Sequence, residues 1–216
     1  MSKPHKDRRA YHSPRRDEAA AQTRLAIVTA GQQLFTRCGW AGTTMRAVGD
    51  EAGVSVKTVE ALFGTKAALL EEVVRFAIRG DLEDVEMPQR REVARMEAAA
   101  DARTMLGLHA KHLRAVNERS AGLAWTVEQA VPSDAAVARL WDEMNRNRAY
   151  AVGWAASTLL AKPGRRPRLR RRLVEATFWV ALDWATYRTL TAHAGLSPAR
   201  YEEWLRDYYA STFLVG

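Results

Sequence analysis

The sequence predicts an all-α protein. Apolar residues recur at the three- and four-residue spacing of helices along most of the chain, and no sustained run alternates apolar and polar residues as a half-buried strand does. Glycine and proline interrupt this pattern, for example at Gly39, at Gly53 and in the segment KPGRRP, 162–167. The 216 residues, 47% of them hydrophobic, suffice for one large domain or two modest ones with a packed core.

The charge balance favours a polyanionic partner. The chain has 33 Lys and Arg residues against 25 Asp and Glu residues, which gives a net charge of +8. No apolar run approaches the roughly 18 residues that a membrane span requires, and the N-terminus lacks the apolar segment of a secretory signal. A single cysteine, Cys38, excludes an intramolecular disulfide. We therefore expect a cytoplasmic protein that does not associate with a membrane.

The chain begins with a polar, basic segment, 1–16, which lacks an apolar stripe and is expected to be a flexible arm. The first helix is predicted at 17–38, with Leu34 and Phe35 on its apolar face. Gly39 follows at the position where a left-handed residue commonly ends a helix.

Three shorter helices follow, each after a residue that can cap its N-terminus. Thr44 precedes a helix at 45–52, Ser55 precedes one at 56–62, and Thr65 precedes one at about 66–80. The acidic, proline-containing segment 81–89 is a predicted domain boundary. Beyond it, helices are predicted at about 89–97, 102–118, 120–131, 134–161, 168–194 and 198–214.

The second and third helices, joined through Gly53, have the dimensions of a helix-turn-helix motif. Gly53 supplies a backbone conformation that a residue with a side chain resists. The predicted core of the motif consists of Val48, Ala52, Val54, Val59 and Phe63. The start of the third helix then points outward, where a recognition helix meets base edges and phosphates. By spacing alone, two ordinary helices of a bundle fit about as well.

The residues of this region also match a known family at fixed spacing. The matching pieces are Leu34-Phe35, Gly39 with an aromatic residue at position 40, Gly42-Thr43-Thr44, Ala52-Gly53-Val54-Ser55, Thr58-Val59, Phe63, and Lys66 followed by Leu69-Leu70. On these residues, segment 23–76 resembles the N-terminal domain of the TetR family of transcriptional regulators. The resemblance implies an N-terminal three-helix helix-turn-helix DNA-binding domain, 17–80 with its linking helix, joined to a larger helical ligand-binding and dimerisation domain, 81–216.

The resemblance further implies DNA contacts at individual positions. Thr44 is expected to anchor the second helix to a phosphate, and Lys66 to bind a phosphate at the start of the fourth helix. The resemblance implies that Arg46, Val56, Lys57 and Thr58 face the major groove, and Ser55 is expected there from its position at the start of the third helix. The arm residues Arg15 and Arg16 are expected to reach the adjacent minor groove, and a solvated disordered tail is the alternative.

Four positions depart from the family's pattern, and at one of them Leu62 replaces a common polar or aromatic residue. Glu60 stands where the family usually has tyrosine, and a carboxylate is repelled by phosphate. It can accept a hydrogen bond from a cytosine amino group, pair with Lys57 or Arg46, or point away; we expect the intramolecular pair. Gly31 and Gly49 stand where the family often has alanine, each at a cost of about 1 kcal/mol within a helix.

The predicted helix 168–194 is apolar on two faces, so it must be buried on both. In the family, the corresponding helix packs on its own domain and on a second copy of the chain. The expected interface residues of such a homodimer are Leu173, Val180, Trp184, Tyr187, Trp204 and Tyr208. A two-fold dimer predicts a palindromic operator, and a monomer with a thick core is the alternative.

Aromatic and sulfur-containing residues of the second domain are candidates for an apolar ligand cavity. They are Met105, His109, Trp125, Trp141, Met144, Trp154, Phe178 and Trp179. Ordinary core packing is the alternative for each. His109 and His112 have the spacing of a helical metal pair but no third ligand at convincing spacing, so no metal or cofactor is expected.

The sequence therefore predicts a ligand-responsive, sequence-specific DNA-binding transcriptional regulator. We expect a homodimeric repressor that a small-molecule effector releases from double-stranded operator DNA. The alternative is an all-α small-molecule binding protein that retains the fold but has lost specific DNA binding, and Glu60 supports it. An enzyme is not expected, because no nucleophile–base set and no glycine-rich phosphate loop is present.

Overall fold

The structure, a computed structural model, describes residues 14–83 and 85–215, and this part of the chain is helical without a sheet. Its α-helices are α1 (Pro14–Gly42), α2 (Met45–Ala52), α3 (Val56–Phe63), α4 (Lys66–Arg79), α5 (Arg91–Glu97), α6 (Ala102–Ala130), α7 (Ala135–Leu160), α8 (Arg171–Ala181), α9 (Trp184–Arg188) and α10 (Pro198–Phe213). Short 3-10 turns lie at Met87–Gln89 and Val131–Ser133, and a π-helical turn, Thr189–His193, follows α9. The predicted all-α fold is confirmed.

Hydroxyl side chains fix the starts of α2, α3 and α4, as predicted. The side-chain oxygens of Thr44, Ser55 and Thr65 accept the backbone N–H three residues later, at 3.1, 3.2 and 3.1 Å respectively. Each bond satisfies a donor that the first helical turn leaves free, and such a cap contributes about 1 kcal/mol. The short helices therefore begin where local chemistry places them.

A kink interrupts α1 near its end. Gly39 has φ +68° and ψ −172°, so the helical path breaks there before a last turn reaches Gly42. This break lies where the sequence predicts the end of the first helix. The backbone of α1 begins at Pro14, but residues 1–13 and the side chains of Arg15 and Arg16 lie outside the described part of the chain. The predicted arm and its minor-groove contacts therefore stay predictions.

Two departures from the predicted helices have local causes. The predicted helices 102–118 and 120–131 form the single helix α6, because the Ser120 hydroxyl donates to the Val116 carbonyl oxygen at 2.8 Å instead of capping a new helix. The predicted helix 168–194 is divided between α8 and α9. Asp183 accepts the Thr186 N–H at 3.0 Å and thereby caps α9.

Helix α6 lies at the centre of the fold. It packs against α1 and α4 on one side and against α5, α7, α9 and α10 elsewhere. The buried side chains form a continuous hydrophobic core that includes Phe35 of α1, Leu70 of α4, Val127 of α6 and Phe178 of α8. The helix-turn-helix region is therefore packed directly on the later helices. No helix within the described ranges is long and apolar enough to cross a membrane.

Candidate nucleic-acid interface

The turn between α2 and α3 brings two backbone segments into close contact. Gly53 adopts φ +69° and ψ 28°, and the Val54 N–H donates to the Gly49 carbonyl oxygen at 2.9 Å. A Cβ at Gly49 would lie 2.9 Å from the Val54 carbonyl oxygen, which is closer than real Cβ atoms approach. Gly49 therefore permits the turn to close, and this packing offsets its low helix propensity.

A small apolar core holds α3 against its neighbours. Val48 of α2 and Val59 of α3 are fully buried, and Phe63 is nearly so. The guanidinium of Arg24 lies 5.1 Å from the centre of the Phe63 ring and donates to Glu72 of α4 at 2.6 Å. One arginine of α1 thus contacts both α3 and α4, which fixes the orientation of the candidate recognition helix.

The start of α3 is on the surface of the molecule. Ser55 and Lys57 are exposed, whereas Val56 and Thr58 are half-buried. The Ser55 and Thr58 hydroxyl oxygens lie 2.9 Å apart, so each hydroxyl holds the other in place. Backbone N–H groups at a helix start favour anions. This arrangement suits contact with phosphates and base edges.

Two further predicted DNA contacts, Thr44 and Arg46, are exposed at the start of α2. The Thr44 hydroxyl oxygen is occupied as the α2 cap, but its hydrogen remains free to donate to a phosphate. The structure thus places these two residues and the start of α3 on the exterior of one packed pair of helices.

Lys66 has a different environment from the one expected of a phosphate contact. Its Nζ donates to the carbonyl oxygens of Trp40 at 2.9 Å and Thr43 at 3.1 Å, and lies 4.0 Å from the centre of the Trp40 indole ring. Burial lowers the pKa of Lys66, while the charge of Asp134 acts in the opposite direction. The ammonium therefore links the start of α4 to the end of α1 through hydrogen bonds.

Glu60 is exposed on α3 and does not form the expected intramolecular pair. Among the residues that the structure describes, no lysine or arginine lies within ion-pair distance of its carboxylate. The expectation of a pair with Lys57 or Arg46 was therefore wrong. The reason is local, since Lys57 and Arg46 both extend into solvent, where an exposed pair gains little.

Half of the predicted ligand-binding residues are buried in the core. Met105, His109, Met144 and Phe178 have less than 5% of their surface exposed. The His109 Nδ1 atom lies 2.9 Å from the Tyr209 hydroxyl oxygen, and the His109 ring meets the Phe178 ring edge-on at 5.1 Å. Burial lowers the pKa of His109 to about 3, so the imidazole is neutral at pH 7.

The other half lies at or near the surface. Trp125 and Trp141 line a cleft of about 150 Å³ between α6, α7 and α9. Trp154 donates its indole N–H to Glu97 at 2.8 Å, and Trp179 stacks on the guanidinium of Arg148 at 4.8 Å. The eight predicted residues therefore do not line one cavity, because helical spacing cannot distinguish core aromatics from those of a cleft.

The predicted dimer residues have three environments. Leu173 and Val180 of α8 are exposed by 55% and 46%. Trp184 and Tyr187 of α9 are buried in the core of this chain, so they offer little surface to a second copy. Both rings lie on α9, which Asp183 caps as a helix separate from α8. Trp204 and Tyr208 of α10 are half-buried, with their rings stacked at 5.3 Å.

Several contacting residues were missed by the sequence reasoning. Arg119 and Thr126 of α6 bond to backbone carbonyls of α4 and α1, and Arg148 and Arg188 line the cleft beside the tryptophans. The sequence shows these polar residues on otherwise apolar helices, which indicates that they have a partner. It does not show which partner they contact, because that depends on the packing of distant segments.

Comparison with known proteins places the helix-turn-helix region in a family. Residues 27–73 match the model of the family described as bacterial regulatory proteins, tetR family. The match covers the later part of α1, all of α2 and α3, and the start of α4. The match confirms the resemblance inferred from the sequence. None of the curated proteins matches the chain.

Solved structures share the fold over nearly the whole chain. A transcriptional regulator from Saccharomonospora viridis in complex with choline has a TM-score of 0.66 at 17% identity, covering 93% of this chain and 100% of its own. NalD, the secondary repressor of the MexAB-OprM multidrug efflux pump in Pseudomonas aeruginosa, has a TM-score of 0.66 at 19% identity, covering 91% and 98%. A TetR-family regulator from Rhodococcus sp. has 0.61 at 16%, covering 86% and 95%. These likenesses show that the chain shares the fold of these proteins.

Proposed function

We propose that this chain, whose residues 27–73 match the model of the tetR family of bacterial regulatory proteins, is a homodimeric transcriptional repressor that a small molecule releases from a palindromic operator. The proposal is supported by the position of the start of α3 on the surface of the molecule. This helix start presents Ser55, Lys57 and Thr58 from a closed turn that Gly49 and Gly53 make possible. Residues at this end of a recognition helix read base edges in the major groove.

The proposed dimer interface is the exposed apolar face of α8. Leu173, Ala176 and Val180 recur at three- and four-residue spacing and are all exposed. A stripe of this kind is unfavourable in water and favours burial against a second copy. Trp204 and Tyr208 of α10, with part of their rings accessible, are proposed to extend the interface. Two-fold symmetry then presents two copies of α3 to one duplex.

Helix α6 supports communication between effector and DNA. Arg119 donates to the carbonyl oxygens of Ala77 at 2.8 Å and Ile78 at 3.3 Å in the last turn of α4. The Thr126 hydroxyl donates to the Phe35 carbonyl oxygen of α1 at 2.9 Å. An effector that displaces α6 therefore moves α1 and α4 with it, and α3 contacts both, α4 by packing and α1 through Arg24 over the Phe63 ring. DNA and effector compete through the spacing of the two α3 helices.

One solved structure with this fold, that of the regulator from Saccharomonospora viridis, is a complex with choline. For this chain we propose an effector that binds among the later helices. Its chemical class is a separate question, because choline is reported for a protein that is 17% identical.

One observation favours a second candidate function. Glu60 is an exposed carboxylate on α3 without a described cation to neutralise it, and it opposes a phosphate backbone. A small-molecule binding protein that retains the fold but has lost specific DNA binding accounts for this residue equally well. The two candidates differ in whether the protein selects a DNA sequence.

Selection from a random duplex library separates them. The purified protein is incubated with duplexes that contain about 30 randomised base pairs, and the retained DNA is sequenced at two salt concentrations. A repressor of this design enriches a palindrome whose half-sites lie about one helical turn apart. A folded, dimeric protein that enriches no sequence at either salt concentration contradicts the proposal and leaves the binding protein.

A further inference from the structure

A cleft of about 150 Å³ opens between α6, α7 and α9, away from the helix-turn-helix motif. Three indole rings line it, those of Trp125, Trp141 and Trp184, and the Trp141 and Trp184 ring centres lie 6.1 Å apart. Two arginines, Arg148 and Arg188, also line the cleft. The combination of flat apolar walls and guanidinium groups distinguishes this cleft from a packing defect of the core.

Arg148 has a donor without a partner. Its guanidinium lies between two indoles, 4.8 Å from the centre of the Trp179 ring and 5.1 Å from that of Trp184, and Nη1 donates to Asp183 at 3.0 Å. Its Nε atom is buried and has no hydrogen-bond acceptor among the described residues. Because Nε has almost no accessible surface, a ligand cannot reach it, and Arg148 contributes its stacked guanidinium and its charge to the cleft rather than this N–H.

Arg188 is the second cation of the cleft. Its guanidinium carbon lies 3.8 Å from the centre of the Trp125 ring. Within the described ranges, no carboxylate lies at ion-pair distance from it. A guanidinium stacked on an indole keeps its N–H groups directed outward in the ring plane, where they can bind a carboxylate in bidentate geometry.

The volume of the cleft is sufficient for a single ring. A cavity of about 150 Å³ in an engineered protein is large enough to hold benzene. The small side chains of Ala121 and Ala124 line the same cleft, so a flat ring can pack against α6.

We propose that this cleft binds a single-ring aromatic carboxylate. Its ring packs against the indoles of Trp141 and Trp184, and its carboxylate pairs with Arg188. Asp183 is already paired with Arg148 and caps α9, so it does not compete for the ligand. Glu128, the other acidic residue of the lining, opposes a bound anion. If the chain is the proposed regulator, a single-ring aromatic carboxylate is its effector. Binding at the cleft does not depend on that function, and only the effect of binding on DNA does.

Isothermal titration calorimetry with benzoate tests the site on the full-length protein without DNA. Benzoate is expected to bind, and benzyl alcohol, which has the ring but no charge, is expected to bind at least about tenfold more weakly. Benzyltrimethylammonium, a cation of similar shape, is expected not to bind. No heat from benzoate up to about 10 mM, or tighter binding of the cation than of benzoate, overturns the proposal.

Three variants locate the binding. Arg188→Gln is expected to weaken benzoate binding by about tenfold or more, and Glu128→Gln to strengthen it severalfold, since one removes an attractive and the other a repulsive charge. Arg103→Gln makes the same charge change at an exposed position of α6, about 33 Å along the helix from Trp125. It is expected to have no effect on benzoate binding. Affinity that is unchanged in Arg188→Gln, or reduced in Glu128→Gln, overturns the proposal.

The two proposals fail separately. A protein that selects an operator but binds no benzoate lacks this site and remains a regulator. A protein that binds benzoate through Arg188 but selects no DNA sequence retains the site and is not a regulator. If both hold, benzoate is expected to release the selected duplex from the wild-type protein and from Arg103→Gln at about tenfold lower concentration than from Arg188→Gln.

Discussion

At the scale of single residues, Glu60 lies three positions after Lys57 on α3, so the two side chains share one face without forming an ion pair. If α3 is the recognition helix, as proposed, this carboxylate opposes a phosphate or reads a base edge. The two cases are distinguished by what happens when the charge is removed without changing the shape of the side chain.

We expect Glu60→Gln to strengthen binding to all duplexes by about three- to tenfold at low salt, because an exposed charge repels a nearby phosphate by roughly 1 kcal/mol. The measurement is a fluorescence-anisotropy titration of several unrelated duplexes. Glu86→Gln, an exposed change outside the helix-turn-helix region, is the control and should leave every affinity unchanged. Loss of discrimination between sequences, with no general gain, contradicts phosphate repulsion and shows that Glu60 reads a base.

Lys66 is a second residue whose role depends on its partners. The sequence implied a phosphate contact, but the ammonium donates to two carbonyl oxygens at the end of α1. We expect Lys66→Met to lower the free energy of unfolding by about 1–3 kcal/mol, since the substitution leaves both acceptors without their charged donor. Urea denaturation followed by circular dichroism measures this change.

The matched control is Lys57→Met, which removes the same charge from an exposed site on α3 and should change stability by less than about 0.5 kcal/mol. Unchanged stability in Lys66→Met, together with a uniform loss of DNA affinity, supports the phosphate contact instead.

At the scale of secondary-structure elements, the short helices of the N-terminal region could be predicted closely, because each begins at a hydroxyl cap and the turn contains a glycine. The longer helices could not. Ser120 and Asp183 have similar local preferences, yet Ser120 bonds within a continuous helix and Asp183 starts a new one. Asp183 is held by Arg148 of α7, a contact that no local pattern reveals.

The α2–α3 turn provides a test at this scale. We expect Gly49→Ala to lower the free energy of unfolding by about 1–3 kcal/mol, because the new methyl group would overlap the Val54 carbonyl oxygen and force the turn apart. Gly107→Ala in α6 is the control. Nothing lies within 4 Å of its added Cβ, so this change should raise stability by about 0.5–1 kcal/mol. Thermal denaturation of both variants checks the signs, and a stabilised Gly49→Ala protein contradicts the close approach described here.

At the scale of the whole molecule, composition predicted a polyanionic partner but not its location. Residues 17–80 contain seven basic and seven acidic side chains, whereas residues 1–16 contain six basic and one acidic. The helix-turn-helix region is therefore neutral overall, and DNA recognition depends on where single charges lie. The cleft was equally hidden from the sequence, since its aromatic and cationic residues come from separate helices that only the tertiary fold brings together.

The proposed dimer is tested on α8. We expect Val180→Glu to shift the protein from dimer to monomer and to weaken operator binding by more than about tenfold, because it buries a charge in the interface. Leu25→Glu on α1 changes a side chain of nearly equal exposure, 44% against 46%, and should leave the dimer intact. Sedimentation equilibrium measures the oligomeric state of both variants. A Val180→Glu protein that remains dimeric places the interface elsewhere.

In the proposed complex, two copies of α3 face successive major grooves of one duplex. This arrangement is tested most directly by the distance between them. Nitroxide labels at Ala61→Cys, an exposed position on α3, in a Cys38→Ser background allow pulsed electron paramagnetic resonance to measure it on the selected duplex. We predict a narrow distribution near one helical turn, about 34–36 Å, allowing for the label linkers. The absence of dipolar coupling, or a distance that differs from this value by more than about 10 Å, would contradict the account.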